Sequence, residues 1–186
     1  ARFAAKNYRH IELVGFYILS ESFSETYNSK YKKFTTVIPE VAAYCDKYNE
    51  GLYWIPYGYS TSDSGHNSTV KNWADYDLTA AVLQPNYYWE SDRSWDTICN
   101  EYIKNCGMGM EFEFEGSHGG YTSILGDSDA ATYRKERFRE YMENARNYGI
   151  YGKKPIVLYT GTNALYELAV SKKASDKELY HEFGEF

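Results

Sequence analysis

The sequence has few cysteines, no excess of basic residues and no long apolar run, and each absence excludes a class of protein. The three cysteines, Cys45, Cys99 and Cys106, are odd in number and lack CxxC spacing, so neither a disulfide framework nor a zinc site is indicated. Lys and Arg number 20 against 26 Asp and Glu, which leaves no electrostatic footprint for nucleic acid. No stretch approaches the ~18 apolar residues of a membrane span, and no targeting signal is recognisable.

Tyrosine is the residue in excess. It occurs 21 times, and aromatic residues make up 18% of the 186 positions. Tyrosine combines a flat apolar face with a polar tip, which suits a polar ligand with apolar patches such as a sugar. The alternative is a core and rim rich in tyrosine. The length and a hydrophobic content of 43% predict a single soluble domain over 1–186. Because the chain starts at Ala1 and not at Met, we expect a processed, trimmed or partly represented protein.

Extended and helical patterns alternate along the chain. Predicted helices cover 1–11, 31–49, 91–107, 131–149 and 177–186, and predicted strands cover 12–22, 51–60, 79–89, 108–115 and 153–161. Two long polar loops, 60–69 and 116–129, both follow strands, whereas the connections from helix to strand are short. The alternation predicts an α/β fold with a parallel sheet, and the loop asymmetry is typical of a (β/α)8 TIM barrel. A doubly wound sheet would alternate in the same way, but its Gly-rich phosphate turn is missing.

The stretch GMGMEFEFEG sets acids and phenylalanines at alternate positions of one strand. Glu111, Glu113 and Glu115 share one face, and Phe112 and Phe114 share the other. In an isolated antiparallel strand, the acids would simply face water. In a barrel, the apolar face meets the helices, so the acids point inward, where a buried charge is costly unless it is paired or hydrogen-bonded.

Two predicted strands end in a carboxylate. Counted backwards from the last strand as the eighth, 108–115 is the seventh and 12–22 the fourth, which ends in Glu21 with Tyr17 on the same face. This arrangement resembles retaining glycoside hydrolases with TIM barrels, in which the fourth-strand acid donates the proton and the seventh-strand acid is the nucleophile. The resemblance implies Glu21 as acid/base and Glu113 as nucleophile. Their separation would be ~5 to 5.5 Å for retention and ~6.5 to 9.5 Å for inversion.

Four motifs resemble those of one particular family: GFYILSE at 15–21, WIPY at 54–57, LQPNYYW at 83–89 and GMGMEFE at 107–113. They are similar to the motifs of a bacterial family catalogued as a domain of unknown function, number 4855, over about residues 10–165. Members of that family look like glycoside-hydrolase-type barrels and are often exported. The resemblance implies a cell-surface, periplasmic or extracellular location. It also implies three further strands before residue 1, so that this chain holds strands four to eight. In the family's seventh-strand motif, Glu111 and Glu113 match best and Glu115 less closely.

Further residues are predicted to bind the carbohydrate. We place Glu113 at the strand end, Glu111 deeper as a buried partner and Glu115 in the loop. Gln84 and Asn86 lie two apart and would bind sugar hydroxyls or position a carboxylate; the alternative is that they end the strand around Pro85. The candidate aromatic residues for the site are Tyr17, Trp54, Tyr57, Tyr87, Tyr88 and Trp89.

The predicted function is therefore a glycosidase without a cofactor or metal. Two alternatives stay open: a carbohydrate-binding barrel without turnover, and a metal-dependent barrel enzyme that uses Glu111, Glu113 and His118. His66 and His118 follow strands, but no recognised ligand spacing accompanies them.

Overall fold

The structure, a computed structural model, describes residues 6, 9–10, 12–22, 32–58 and 64–186, with the backbone alone at 32–35 and 64–66. Most of the helix predicted over 1–11 lies outside these residues, and so does the His66 side chain. The chain divides into two units, Ala1–Ala81 and Val82–Phe186.

The first unit contains strands β1 (Gly15–Ile18) and β2 (Gly51–Trp54), helices α1 (Lys32–Asp46) and α2 (Ser64–Lys71), and a 3-10 turn (Trp73–Tyr76). It also holds the first half of strand β3 (Ala80–Leu83). β1 pairs with β2, and β2 with the start of β3, both in parallel. Helix α1 forms because Ile38, Ala42 and Cys45 recur at helical spacing, and all three are buried.

The second unit contains the end of β3 and strands β4 (Gly109–Glu113) and β5 (Ile156–Tyr159). A π-helical segment (Thr97–Lys104) connects β3 to β4, and a 3-10 helix (Ser117–Thr122) follows β4. Three α-helices complete the unit: α3 (Asp129–Asn147), α4 (Ala164–Val170) and α5 (Ala174–Glu185). β4 pairs in parallel with β3 on one side and with β5 on the other. The fold is thus mixed α/β, and the strand pairs among the described residues are all parallel.

Helix α3 packs against β4 in the second unit. It begins after Ser128, whose hydroxyl accepts a hydrogen bond from the Ala131 N–H at 3.2 Å. Its buried face includes Phe138, which contacts both phenylalanines of the acidic strand. The ring centroids lie 6.2 Å from Phe112 and 4.6 Å from Phe114. These two residues therefore face the helices, as the alternation in the sequence predicted.

The structure differs locally from the pattern predicted by the sequence. The predicted strand over 79–89 ends at Leu83, because Pro85 has no N–H to donate and Asn86 adopts a left-handed conformation with φ 55°. Helix α2 occupies part of the predicted loop 60–69, and a 3-10 helix occupies part of the loop 116–129. Helix α4 was not predicted, since its seven residues are too short to show a clear helical period.

No helix among the described residues combines the length and apolarity that crossing a membrane requires. The three cysteines are free thiols, of which Cys45 and Cys99 are buried.

Candidate active site at the end of strand β4

Glu113 is the last residue of β4 and is completely buried, with 0% of its surface exposed. Both of its carboxyl oxygens accept hydrogen bonds. The main-chain N–H of Asn86 donates to Oε1 at 3.1 Å, and the hydroxyl of Tyr141 on α3 donates to Oε2. The carboxyl group is therefore held between the turn that follows β3 and the helix that follows β4.

Burial raises the pKa of Glu113 to about 8. The hydroxyl of Tyr141 lowers this pKa, the negative charge of Glu111 raises it, and the N–H groups of Asn86 and Tyr87 lower it. Burial outweighs the hydrogen bonds, so most of the Glu113 side chains carry a proton at pH 7. Tyr141 is neutral throughout this range, because burial and the adjacent Glu113 raise its pKa well above the usual value.

Polar side chains line the face of the strands on which Glu113 lies. Glu111 is two residues earlier on the same face and is also buried. β3 and β4 pair Leu83 with Met110, so the same register places Gln84 beside Glu111. The atoms Gln84 Oε1 and Asn86 Nδ2 are buried and have no hydrogen-bond partner within the described part of the chain. A buried amide group without a partner is costly, and a polar ligand would satisfy it.

The turn after β3 is fixed by arginines of α3. The guanidinium of Arg137 donates through Nε to the Tyr87 carbonyl at 2.7 Å and through Nη2 to the Glu90 carbonyl at 2.5 Å. It also lies 3.8 Å from the centre of the Tyr87 ring. Arg134 donates to the Tyr88 carbonyl. These contacts stabilise the unusual backbone at Asn86 and aim its N–H at Glu113.

The aromatic residues of this turn have different environments. Tyr87 is buried, and its hydroxyl donates to Glu140. Tyr88 is also buried, and its hydroxyl donates to the Thr122 carbonyl at 2.6 Å. Trp89 keeps part of its surface accessible and packs edge-on against Tyr159, with ring centroids 5.8 Å apart. Tyr159 is the β5 partner of Glu113, so its side chain lies on the same face of the strands.

Glu115 and the loop after β4 form a separate polar cluster. The hydroxyl of Thr122 donates to Oε2 of Glu115 at 2.5 Å. The backbone of Glu115 also pairs with that of Ser123 in an isolated parallel β-bridge. Further along, both the N–H and the hydroxyl of Ser117 donate to Glu167. Glu115 is thus engaged by its own loop and does not contact the carboxyl group of Glu113.

The remaining predicted residues lie in the first unit. Glu21 is exposed three positions after the end of β1, and its carbonyl accepts from the N–H of Tyr57 at 3.0 Å. Tyr17 is exposed, and Tyr57 is partly buried. Trp54 is completely buried, and its indole N–H donates to the Ser20 carbonyl at 2.8 Å.

The alternative metal site has no support in the described side chains. The carboxyl oxygens of Glu113 accept hydrogen bonds from the Asn86 N–H and the Tyr141 hydroxyl. Nδ1 of His118 lies 3.3 Å from the hydroxyl of Thr162. Across the described residues, no three His, Cys, Asp or Glu side chains are grouped in a way that could hold a metal ion.

Two contributors to this site were not predicted as functional residues, namely Tyr141 and Arg137. Both belong to the charged amphipathic helix predicted over 131–149. Tyr141 falls on its apolar face, where a buried phenolic hydroxyl requires a polar partner. That requirement was the available signal, but it does not identify Glu113 as the partner.

A family model described as "Domain of unknown function (DUF4855)" matches residues 1–185. The chain belongs to this family. The match extends over both units and includes the four motifs in which the resemblance was noted. No curated protein and no solved structure matched the chain.

Proposed function

We propose that this DUF4855 protein is a glycoside-hydrolase-like enzyme that is located outside the cell, at its surface or in the periplasm and acts on a carbohydrate. In this proposal, its strands are the fourth to eighth of a (β/α)8 barrel, with Glu113 as the nucleophile and Glu21 as the acid/base. The parallel pairing of neighbouring strands supports the barrel, because all strands of a (β/α)8 barrel are parallel. Active sites of such barrels lie at the carboxyl ends of the strands, which is where Glu113 ends β4.

The observation that carries the proposal is the environment of Glu113. Its carboxyl group ends a parallel strand, is buried beside Glu111 and has a pKa raised to about 8. Strongly shifted pKa values concentrate at functional sites, because a catalytic group must exchange its charge near the working pH. The unsatisfied amide atoms of Gln84 and Asn86 beside it suit the hydroxyl groups of a sugar.

In the proposed reaction, Glu21 transfers protons and Glu113 forms the bond to the sugar. Glu21 gives a proton to the leaving oxygen while the carboxylate of Glu113 attacks the anomeric carbon to form a glycosyl-enzyme. Water, deprotonated by Glu21, then releases the sugar. Attack requires ionised Glu113, so the ionisation of Glu113 should appear as a rise of kcat/KM with pH toward a midpoint near 8.

Activity on a panel of aryl glycosides and polysaccharides tests this proposal. Glu113→Gln and Glu21→Gln should each lower kcat by at least about a hundredfold, whereas Glu136→Gln, at an exposed position on α3, should leave kcat unchanged. A crystal structure with a bound sugar gives the distance between the carboxyl groups of Glu21 and Glu113. A distance above ~12 Å would eliminate the pair.

A second candidate is a carbohydrate-binding barrel without turnover. It is favoured by the complete burial of Glu113 and by its occupied oxygens. Calorimetric titration with oligosaccharides distinguishes the two functions. Binding that persists in Glu113→Gln, without hydrolysis by the wild-type protein, would select the second candidate.

A further inference from the structure

Two opposing influences act on the charge of Glu113. Burial and the adjacent Glu111 favour the neutral acid, as described above. The hydrogen bonds favour the carboxylate, because Oε1 and Oε2 each accept a hydrogen bond from a donor. The outcome depends on how firmly the two donors are held in place.

The Tyr141 hydroxyl has one orientation that satisfies its surroundings. Its oxygen accepts a hydrogen bond from the N–H of Tyr88 at 3.2 Å, and its own proton points to Glu113. If Glu113 donated to this oxygen, the phenolic proton would lose its acceptor at Oε2. The Tyr141 hydroxyl therefore stabilises the ionised form of Glu113.

The Tyr141 ring is held tightly in position. It is completely buried, and its centroid lies 5.3 Å from that of Phe112, 5.7 Å from Tyr87 and 5.1 Å from Trp95. Edge-to-face packing on two sides prevents the ring from tilting away from the carboxyl group.

The second donor, the N–H of Asn86, is held by the same helix. Arg137 binds the carbonyls of Tyr87 and Glu90, and it precedes Tyr141 by four residues, or about one turn of α3. One face of α3 thus positions the Tyr141 hydroxyl and holds the turn that carries the Asn86 N–H.

We propose that Tyr141 is a positioning residue that keeps Glu113 available as a carboxylate for the proposed attack on a glycoside. Its hydroxyl holds Oε2, while the turn at Asn86 holds Oε1. This inference rests on the proposed function. The groups that face Glu113 are Glu111 on β4, Tyr159 on β5 and, on α3, Tyr141 with Arg137 behind it.

The test replaces the hydroxyl and keeps the ring. In Tyr141→Phe, carbon-13 NMR of labelled glutamate should show the pKa of Glu113 rising from about 8 to about 9 or above, since a hydrogen bond to a charged group is equivalent to about one pH unit or more. The ionised fraction at pH 7 should fall about tenfold. In an active enzyme, kcat at pH 7 should fall by the same factor, recover at higher pH and leave KM unchanged.

Tyr88→Phe is the matched control. It also removes a buried phenolic hydroxyl, but that hydroxyl contacts the Thr122 carbonyl, and the Tyr88 N–H is retained. The pKa of Glu113 should remain near 8 in this variant. An unchanged pKa in folded Tyr141→Phe, or an equal rise in both variants, would overturn the role of Tyr141.

A second variant covers the case in which Tyr141→Phe does not fold. Site-specific 3-fluorotyrosine at position 141 keeps the ring and makes the hydroxyl a stronger donor, so the pKa of Glu113 should fall; a constant or higher value would contradict the proposal. The NMR measurement needs no substrate. A shifted pKa without turnover on any glycoside would therefore refute the proposed function, whereas turnover with an unshifted pKa would refute only the positioning role.

Discussion

Two carboxyl groups in the second unit are buried to almost the same extent and have opposite electrostatic properties. None of the ion pairs among the described residues involves Glu113, and burial raises its pKa to about 8. The Asp176 side chain on α5 is 2% exposed, and its Oδ1 lies 2.6 Å from Nζ of Lys135. Burial raises the pKa of Asp176, but the hydrogen bonds from Lys135, Ser171 and the Gly126 N–H outweigh it and hold that pKa below its usual value.

The difference indicates what each cluster does. Lys135 also donates to the Gly126 carbonyl and to the Ser175 hydroxyl, so its cluster joins α3, α5 and the preceding loop with every charge paired. Such a network stabilises a fold and leaves no group to react. The Glu113 cluster instead keeps a neutralised acid and nearby unsatisfied amide atoms, which is an arrangement suited to a ligand.

The largest effect on stability is expected from breaking the buried ion pair of Lys135 and Asp176. Asp176→Asn should lower the free energy of unfolding by ~3 to 5 kcal/mol, because it leaves the buried charge of Lys135 without a partner. Urea denaturation at pH 7 measures this loss. The double variant Lys135→Met with Asp176→Leu removes both charges and should recover most of the stability. If the double variant is as unstable as Asp176→Asn, the unpaired charge is not the cause.

Glu113→Gln should have a smaller effect on stability that depends on pH. The folded-state pKa of Glu113 is raised above its ordinary value of 4.5, so its stabilising contribution is complete below about pH 4.5 and is lost as the pH rises through 8. Between these limits, the stability of the wild type relative to Glu113→Gln should fall by about 1 kcal/mol per pH unit. Urea denaturation of both proteins from pH 5 to 9 gives this slope. A constant difference from pH 5 to 9 would mean that Glu113 is already ionised in the folded protein.

The same experiment on Asp176 should show the opposite sign. Its lowered pKa means that its contribution is present above the unfolded value, near 3.8, and is lost as the pH falls toward the folded value. The stability difference between the wild type and Asp176→Asn should therefore be constant from pH 5 to 8 and decrease under acidic conditions. A difference that changes steadily between pH 5 and 8 would contradict this assignment.

The sequence predicted the parts of this comparison that depend on local pattern. Alternation within β4 separated Glu113 from Phe112 and Phe114, and helical spacing identified the buried face of α3. The partners of the two carboxyl groups could not be predicted, because Tyr141 lies 28 residues after Glu113 and Lys135 lies 41 residues before Asp176, with no local pattern that connects them. The turn at Asn86 was missed because arginines on a later helix stabilise it.

Arg137→Lys should have an intermediate effect on stability, because Arg137 holds the turn beside Glu113. A lysine cannot bind the carbonyls of Tyr87 and Glu90 with a planar fork, so a buried carbonyl loses its donor. The expected loss is ~1 to 3 kcal/mol, with faster hydrogen exchange at 86–90. Arg146→Lys, at an exposed position on the same helix, provides the control. Unchanged exchange at 86–90 would show that Arg137 does not hold the turn.

The smallest effect is expected at the surface pair Arg139–Glu182, which has the same 2.6 Å separation as Lys135–Asp176 but side chains that are each 37% exposed. Water screens these charges and solvates either one when the other is removed. Glu182→Gln should therefore lower the free energy of unfolding by less than ~1 kcal/mol, and added salt should reduce the difference further. Since the two pairs share the same distance, a loss as large as that of Asp176→Asn would show that burial does not determine the strength of these contacts.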